Sequence, residues 1–357
     1  MAAHLGGLQA QAAPPARLAV RARTASRTAA GVDQACAARE VTRTWLMRGT
    51  LHMVATRDAR WMTGLLGPVF ARRGQRRREQ LGLDEAFCDR ALTALADILR
   101  GSPPLTRAEL ISHLAARGIR IDPRTQQAPH LLGYAAYRGL ICRGPDAAGE
   151  EPTYVLLDEW APDAPALDRD EALAELARRY LRGYGPAGRD DFIAWSGLPA
   201  TDGTRALDLI AGDLKPVSAG GARLFALGGC SPEAPEDPPP LLLGHFDPYL
   251  LGYRDRALVL DPRYARRIQA GGGFVQPVVV IGGRAAGTWR LTRPAGKARP
   301  GAPARLTIEP FTALPPASAD GLAAEAADIG RFLGVDVTLE TLSPGGRNVN
   351  EAAAAET

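Results

Sequence analysis

A chain of 357 residues, 46% hydrophobic and with a formal net charge of +4, is long enough to bury cores in two or three domains and too apolar to remain unfolded. No run approaches the roughly 20 apolar residues that cross a bilayer, and the N-terminus lacks the hydrophobic stretch of a secretory signal, so a cytoplasmic protein away from membranes is expected. Four cysteines, Cys36, Cys88, Cys142 and Cys230, stand far apart with no Cys-x-x-Cys pair and no histidine at ligand spacing, which points to reduced thiols and to neither metal nor cofactor.

In chain order, the first feature is Gly7-Leu-Gln-Ala-Gln11. Two glutamines at i and i+2 point the same way only if the backbone is extended, and Pro14-Pro15 discourages a helix over them. Such a segment is either a polar loop or a place where two carboxamides converge. Helices are expected over Ala16 to Thr28 and Asp33 to Ala38, then a hairpin of two β-rich runs, Val41 to Met47 and Thr50 to Ala55, hinged at Arg48-Gly49. Arg43, Arg48 and His52 on this hairpin are candidates to probe a groove, although a lone histidine such as His52 is more often structural, while Trp45 and Leu51 suit a core. Residues 1–80 hold 14 arginines against the four acids Asp33, Glu40, Asp58 and Glu79. That end is therefore built to face a polyanion, and the remainder of the chain is net acidic. The densest cluster, Arg72, Arg73, Arg76, Arg77 and Arg78, serves either as a solvated helix face or as a set of phosphate contacts.

Thr106 and Glu109 form a capping-box pattern that opens a helix over Arg107 to Arg117. A second periodic stretch, Gln127 to Arg138, leads into strands over Leu140 to Cys142 and Tyr154 to Leu157, separated by a polar turn. Helix, helix, strand, loop, strand is the winged-helix order. The same order recurs in helices over Asp170 to Arg182, Arg189 to Ser196 and Asp202 to Ala211, followed by strands Leu214 to Val217 and Arg223 to Leu227 around Gly220-Gly221. Gly183-Tyr-Gly-Pro-Ala-Gly188 matches a dinucleotide fingerprint in spelling, yet it follows a helix and lacks an acidic ribose partner, so it reads as a turn. His4, His52, His113, His130 and His245 are scattered, and no spacing supports zinc or serine hydrolysis.

Ser231 to Pro240 is a Pro-rich linker, beyond which Ala257 to Leu260, Phe274 to Ile281, Ala286 to Leu291 and Arg305 to Ile308 read as strands. The expected fold is α+β: tandem winged-helix modules followed by a small β-rich, barrel-like C-terminal domain. The modules span residues 1–100, the first N-terminally short with a basic helical extension, then 101–165 and 166–230. The β-rich domain spans 241–343, and 344–357 form a disordered tail.

Gly7-Leu-Gln-Ala-Gln11, Arg43-Thr-Trp-Leu-Met-Arg-Gly-Thr-Leu-His52, Phe246-Asp-Pro-Tyr-Leu-Leu-Gly-Tyr-Arg-Asp-Arg256 and the stretch Val278 to Arg290, ending Gly287-Thr-Trp-Arg290, together resemble the AlkZ-like winged-helix DNA glycosylases over nearly the whole chain. The resemblance implies tandem winged helices and a β-rich C-terminal domain arranged around DNA. It also implies catalytic roles for Gln9 and Gln11, which match a Gln-x-Gln motif. The glutamine form is that of a branch associated with self-resistance to DNA-alkylating natural products, interstrand crosslinks included. Members usually carry a helix or more ahead of this motif, whereas eight residues precede Gln9 here.

With that resemblance, the expected function is that of a monofunctional glycosylase acting on double-stranded DNA with alkylated purines, a monomer working at the nucleoid. A base alkylated on a ring nitrogen is already cationic and departs with little protonation, so positioned water and a stabilised sugar cation suffice, and two neutral amides can supply both. A lyase needs an amine nucleophile, and Lys215 and Lys297 are both far from the glutamines in sequence. The competing reading is a non-catalytic winged-helix DNA-binding protein or transcriptional regulator, whose recognition helix, Gln127 to Arg138, offers Gln127, His130 and Arg138 for base contacts.

Overall fold

The computed structural model describes residues 1–219, 221–229, 236–271, 273–293 and 303–344. The chain divides into two compact units, one built from residues 1–16, 31–231 and 251–254, the other from 17–30, 232–250 and 255–357. Both mix helices and strands, so the fold is α+β. Of the expected tail, residues 345–357 lie outside the described residues, as do 231–235 of the linker, Gly220 of its turn, and Cys230.

The first unit opens with β1 (Leu8–Gln9) and α1 (Ala13–Arg21), whose C-terminal part belongs to the second unit. The helix starts three residues before the periodic stretch because Pro14 and Pro15 occupy its first turn, where the absent N–H has no intrahelical partner to lose. α2 (Ala29–Ala37), β2 (Val41–Trp45) and β3 (Leu51–Ala55) follow, with a tight turn over Met47–Gly49 between the strands. Three helices come next, where the sequence suggested a basic helical extension without giving its bounds: α3 (Ala59–Arg73), α4 (Gln75–Gln80) and α5 (Glu85–Leu99). Then come β4 (Leu105–Thr106), α6 (Arg107–Ala116), α7 (Gln127–Tyr137), β5 (Ile141–Arg143), β6 (Thr153–Leu156) and the single turn α8 (Leu157–Trp160). The capping box is formed: the Glu109 carboxylate accepts from the Thr106 N–H at 2.7 Å, and the Thr106 hydroxyl accepts from the Glu109 N–H at 3.3 Å. The unit continues through α9 (Arg169–Tyr184), α10 (Arg189–Ser196), α11 (Ala200–Leu209), β7 (Leu214–Ala219) and β8 (Ala222–Leu227). The glycine-rich run 183–188 is the connection from α9 to α10.

One six-stranded sheet, in the order β1-β3-β2-β5-β6-β4, joins the two hairpins of this unit through the pairing of Arg43 with Arg143. Its strands pack on two apolar clusters. One gathers Leu46, Met47, Trp61, Leu66 and Phe70 with Tyr180, Phe192 and Trp195; the other gathers Leu95, Leu110, Leu131 and Tyr154. Fully burying a side chain of this size contributes roughly 1.5–3 kcal/mol, so these clusters fix where the hairpin and its turn sit.

The second unit contains β9 (Leu241–Leu243), the single turns α12 (Pro248–Leu251) and α13 (Ala265–Ile268), a small β10–β11 hairpin (Gln269–Gly271 and Phe274–Val275), then β12 (Val278–Ile281), β13 (Arg284–Thr292), β14 (Ala304–Pro310), α14 (Ala319–Leu333) and β15 (Val337–Thr341). The strand order β15-β14-β13-β12-β9 is open, with β15 and β9 at its edges, so the sheet does not close into the expected barrel. β14 and β15 run parallel, which requires the crossover that α14 provides. The expected strand over Ala257 to Leu260 is instead a turn, closed by the Val259 N–H on the Arg256 carbonyl at 3.0 Å, with Leu258 exposed.

Candidate active site

β1 pairs antiparallel with β3, Leu8 opposite Met53 and Gln9 opposite His52, and the Ala10 N–H extends the ladder to the Leu51 carbonyl at 2.8 Å. Leu8 and Ala10 are buried, Gln9 is half-buried and Gln11 is exposed. Within β1 the alternation turns Leu8 into the core and Gln9 away from it, while Gln11 lies in the bend that leads into α1. The close approach of β1 to β3 depends on Gly7, at φ +119°, where a Cβ would stand 2.9 Å from Val54 Cγ1 and 3.2 Å from Met47 Cε.

Arg48 lies at the tip of the β2–β3 hairpin in the left-handed region, φ +56°. Its guanidinium donates to Gln9 Oε1 at 2.9 Å and to the Trp195 carbonyl, near the C-terminus of α10, at 2.6 Å. The tip is further held by Tyr137, whose hydroxyl donates to the Gly49 carbonyl at 2.8 Å. Gln11 makes no side-chain hydrogen bond among the described residues, so its amide is open to solvent.

His52, the strand neighbour of Gln9, is 2% exposed. Its Nδ1 lies 2.9 Å from the Thr50 carbonyl, which assigns the ring proton to Nδ1. Burial, with Arg48 close by, pushes its pKa down to about 3, so the ring is neutral near pH 7. Arg43, also on this hairpin, is buried and grips Asp146 with both terminal nitrogens, at 3.0 and 2.6 Å, while donating to the Gly144 carbonyl at 3.2 Å. Both side chains are committed inside the sheet.

Of the arginine cluster, Arg72 and Arg73 end α3, and Arg76 and Arg77 lie on α4; all four are exposed. Arg78 is buried: it donates to the Ala71 carbonyl at 2.8 Å and stands 4.0 Å over the Tyr134 ring. The structure thus separates one structural arginine from four that solvent reaches.

A family model described as DNA glycosylase AlkZ-like matches residues 2–332. The chain belongs to the AlkZ-like DNA glycosylase family. It is a DNA glycosylase, an enzyme class that hydrolyses N-glycosidic bonds in DNA. A relative from Streptomyces sahachiroi, named an interstrand DNA cross-link repair glycosylase, is 29% identical over 343 residues, covering 93% of this chain and 89% of the relative. The solved structure of Streptomyces sahachiroi DNA glycosylase AlkZ superimposes with a TM-score of 0.76 at 27% identity, covering 95% of this chain and 92% of that one.

Other motif residues of this glycosylase serve its architecture. In the second unit, buried Asp247 is gripped by Arg23 at 2.9 and 2.6 Å and accepts from the Tyr249 N–H at 2.9 Å, fixing the start of α12. Gly287 faces the Glu309 carbonyl, where a Cβ would come within 2.7 Å. In the first unit, Tyr180 donates to the Gly252 carbonyl at 2.7 Å and Tyr253 to the Tyr184 carbonyl at 2.8 Å. Gln127, considered for base contacts, is tied at both ends of its amide, to the Leu81 carbonyl and to the Asp122 N–H. Trp195 and Gly197 bear on the glutamine site without having been marked in the sequence. The local signal was a Gly-Leu-Pro break after a helix, which says where the helix ends but not what its last carbonyls meet.

Proposed function

We propose that this glycosylase hydrolyses the N-glycosidic bond of alkylated purines in duplex DNA, interstrand crosslinks formed by an alkylating natural product among them, and acts as a monofunctional monomer at the nucleoid. The observation that carries the reading is the placement of Gln9 at the end of β1, anchored by Arg48, with Gln11 two residues on, in the bend before α1, and open to solvent. In the reaction the water oxygen bonds to C1′ as the C1′–N9 bond breaks. The bonding pair leaves with the base and cancels its positive charge, and one water proton passes to solvent, leaving an abasic sugar. Gln11, whose amide has no protein partner among the described residues, holds the water, and Gln9 faces the damaged nucleotide. The monofunctional reading rests on the want of a lysine near the glutamines in sequence: Lys215 lies on β7, and Lys297 lies outside the described residues.

The scaffold is read as three winged helices. In α5, β4, α6, α7, β5 and β6 the first strand pairs with the last, and the isolated bridge of Ala187 to Phe225 occupies the same place among α9, α10, α11, β7 and β8. In β1, α1, α2, β2 and β3 it is β1, with Gln9, that fills this place. Exposed Arg72, Arg73, Arg76 and Arg77 contact DNA phosphates; Arg43, Arg78 and His52 support the fold from within, and Arg48 at the hairpin tip holds Gln9.

The test is incubation with duplex containing 7-methylguanine, followed by hot alkali to cut abasic sites. Strand breaks with wild type and none with Gln9→Ala or Gln11→Ala are expected. Unchanged breaks in both variants would remove the glutamines from the reaction, and no breaks with any alkylated base would remove the substrate assignment.

A further inference from the structure

The Gln9 amide has an oxygen that accepts and an NH2 group that donates, and which end meets the substrate decides what the residue does. Arg48 settles this in the free protein. A guanidinium carries donors and no acceptor, so the amide end at 2.9 Å from it has to be the oxygen. The Arg48 side chain is held by its second bond, 2.6 Å to the Trp195 carbonyl, one of the last carbonyls of α10 and without an intrahelical partner of its own. Its backbone is fixed as well. A Cβ on Gly197, the left-handed cap of α10, would come within 3.0 Å of both the Arg48 N and Cα. Rotating the Gln9 amide by 180° would set NH2 against the guanidinium, donor against donor, and forfeit the bond.

We propose that Arg48 is a positioning residue that locks the Gln9 carboxamide with its oxygen inward, so that Gln9 meets the lesion-bearing nucleotide through its NH2 group, as a donor to a sugar or phosphate oxygen. The two glutamines are then unlike. Gln11 keeps its oxygen available to accept from the attacking water, while Gln9 orients the strand. This inference deepens the preceding reading and rests on the assignment of Gln9 to the reaction.

The experiment is single-turnover release of 7-methylguanine at saturating protein, with the dissociation constant for the same duplex measured separately. The variants are Gln9→Ala, Gln9→Glu, Arg48→Ala, Arg48→Met and the double variant Arg48→Ala with Gln9→Ala. Glutamate is nearly isosteric, keeps an oxygen on Arg48 and loses the NH2 donor. Gln9→Glu is therefore expected to fall as far as Gln9→Ala, about 10²-fold, although a carboxylate beside the sugar cation would sustain or raise the rate if an oxygen were the working end. Arg48→Ala or Arg48→Met lowers the single-turnover rate by about tenfold with affinity little changed, and Arg48→Ala slows Gln9→Ala no further, because residues acting as a unit are not additive.

Gln9→Glu at the wild-type rate would overturn the donor assignment. Arg48 variants that weaken binding and leave the rate intact, or that add their full effect to Gln9→Ala, would make Arg48 a phosphate contact in its own right. In those cases Gln9→Ala is still inactive and the glutamine reading stands. A Gln9→Ala protein at the wild-type rate would instead bring down both. Thermal unfolding of each variant separates these outcomes from loss of fold, and the Glu arm tests the proposal even if Arg48 proves indispensable for folding.

Discussion

Gly197 and Arg48 occupy space that admits no methyl group between them: a Cβ on Gly197 would lie 3.0 Å from the Arg48 N, 3.0 Å from its Cα and 3.0 Å from Phe70 Cζ. Gly197 also has φ +72°, which costs a side-chain-bearing residue about 1–2 kcal/mol. Gly197→Ala therefore pays conformational strain and pushes the hairpin tip away from α10. Lowered thermal stability together with a reduced excision rate is expected. Unchanged stability and rate would show that the tip has room to move and that its packing does not position Gln9.

The arginines of the basic N-terminal region divide by burial, and the two classes respond differently to removal. Arg43→Ala leaves Asp146, largely buried, without its bidentate partner and costs about 3 kcal/mol in urea unfolding. Arg76→Ala or Arg77→Ala changes stability by less than about 0.5 kcal/mol and instead weakens DNA binding, lowering the slope of log affinity against log salt by about 0.9 per residue. A salt slope that is the same in wild type and in a variant lacking Arg72, Arg73, Arg76 and Arg77 would remove this surface from the interface.

His52 makes stability depend on pH in a direction fixed by its environment. Its pKa falls from the usual 6.5 to about 3 on folding, so between these values the unfolded chain binds the extra proton and stability rises with pH. From pH 7 to pH 5 this residue alone removes about 2 kcal/mol, and the loss ends below about pH 3, where both states are protonated. His130 and His245, also lowered by burial, act with the same sign. Urea unfolding at both pH values is the measurement, with His52→Gln expected to lose most of the difference; an equal difference in both proteins would contradict it.

What the sequence disclosed was largely what adjacent residues encode. The capping box at Thr106 and Glu109, the bounds of α10, and the hairpin around Arg48-Gly49 all rest on signals within a few positions. The bounds of α3 were not legible because Gly64, Gly67 and Pro68 lower its helix propensity, yet Gly67 lets α3 approach α7 so closely that a Cβ would stand 2.0 Å from the Tyr137 carbonyl oxygen. Tertiary packing, not propensity, makes that helix. The apolar run Ala257 to Leu260 gave the opposite error, since four residues of the right hydrophobicity are equally a turn.

At the site, the spacing of Gln9 and Gln11 left a polar loop and a convergent pair both open, and resemblance gave them chemistry. The bond from Arg48 to Gln9 spans 39 positions, and that from Arg43 to Asp146 spans 103. No local pattern encodes either. Arg43 and Arg48 therefore read as equivalent groove probes in the sequence, whereas one closes a buried ion pair and the other holds an amide.

The central claim is that the two glutamines flank the carbon at which the base is released. Its most direct test is a crystal structure of the protein on duplex DNA carrying a cationic azasugar, a mimic of the charged sugar, in place of the damaged nucleotide. The account predicts Gln11 Oε1 within about 3 Å of a water facing the mimic and Gln9 Nε2 within about 3 Å of an oxygen of that nucleotide, with Arg48 still on Gln9 Oε1. Both amides turned to solvent, with the mimic held elsewhere on the protein, would contradict it.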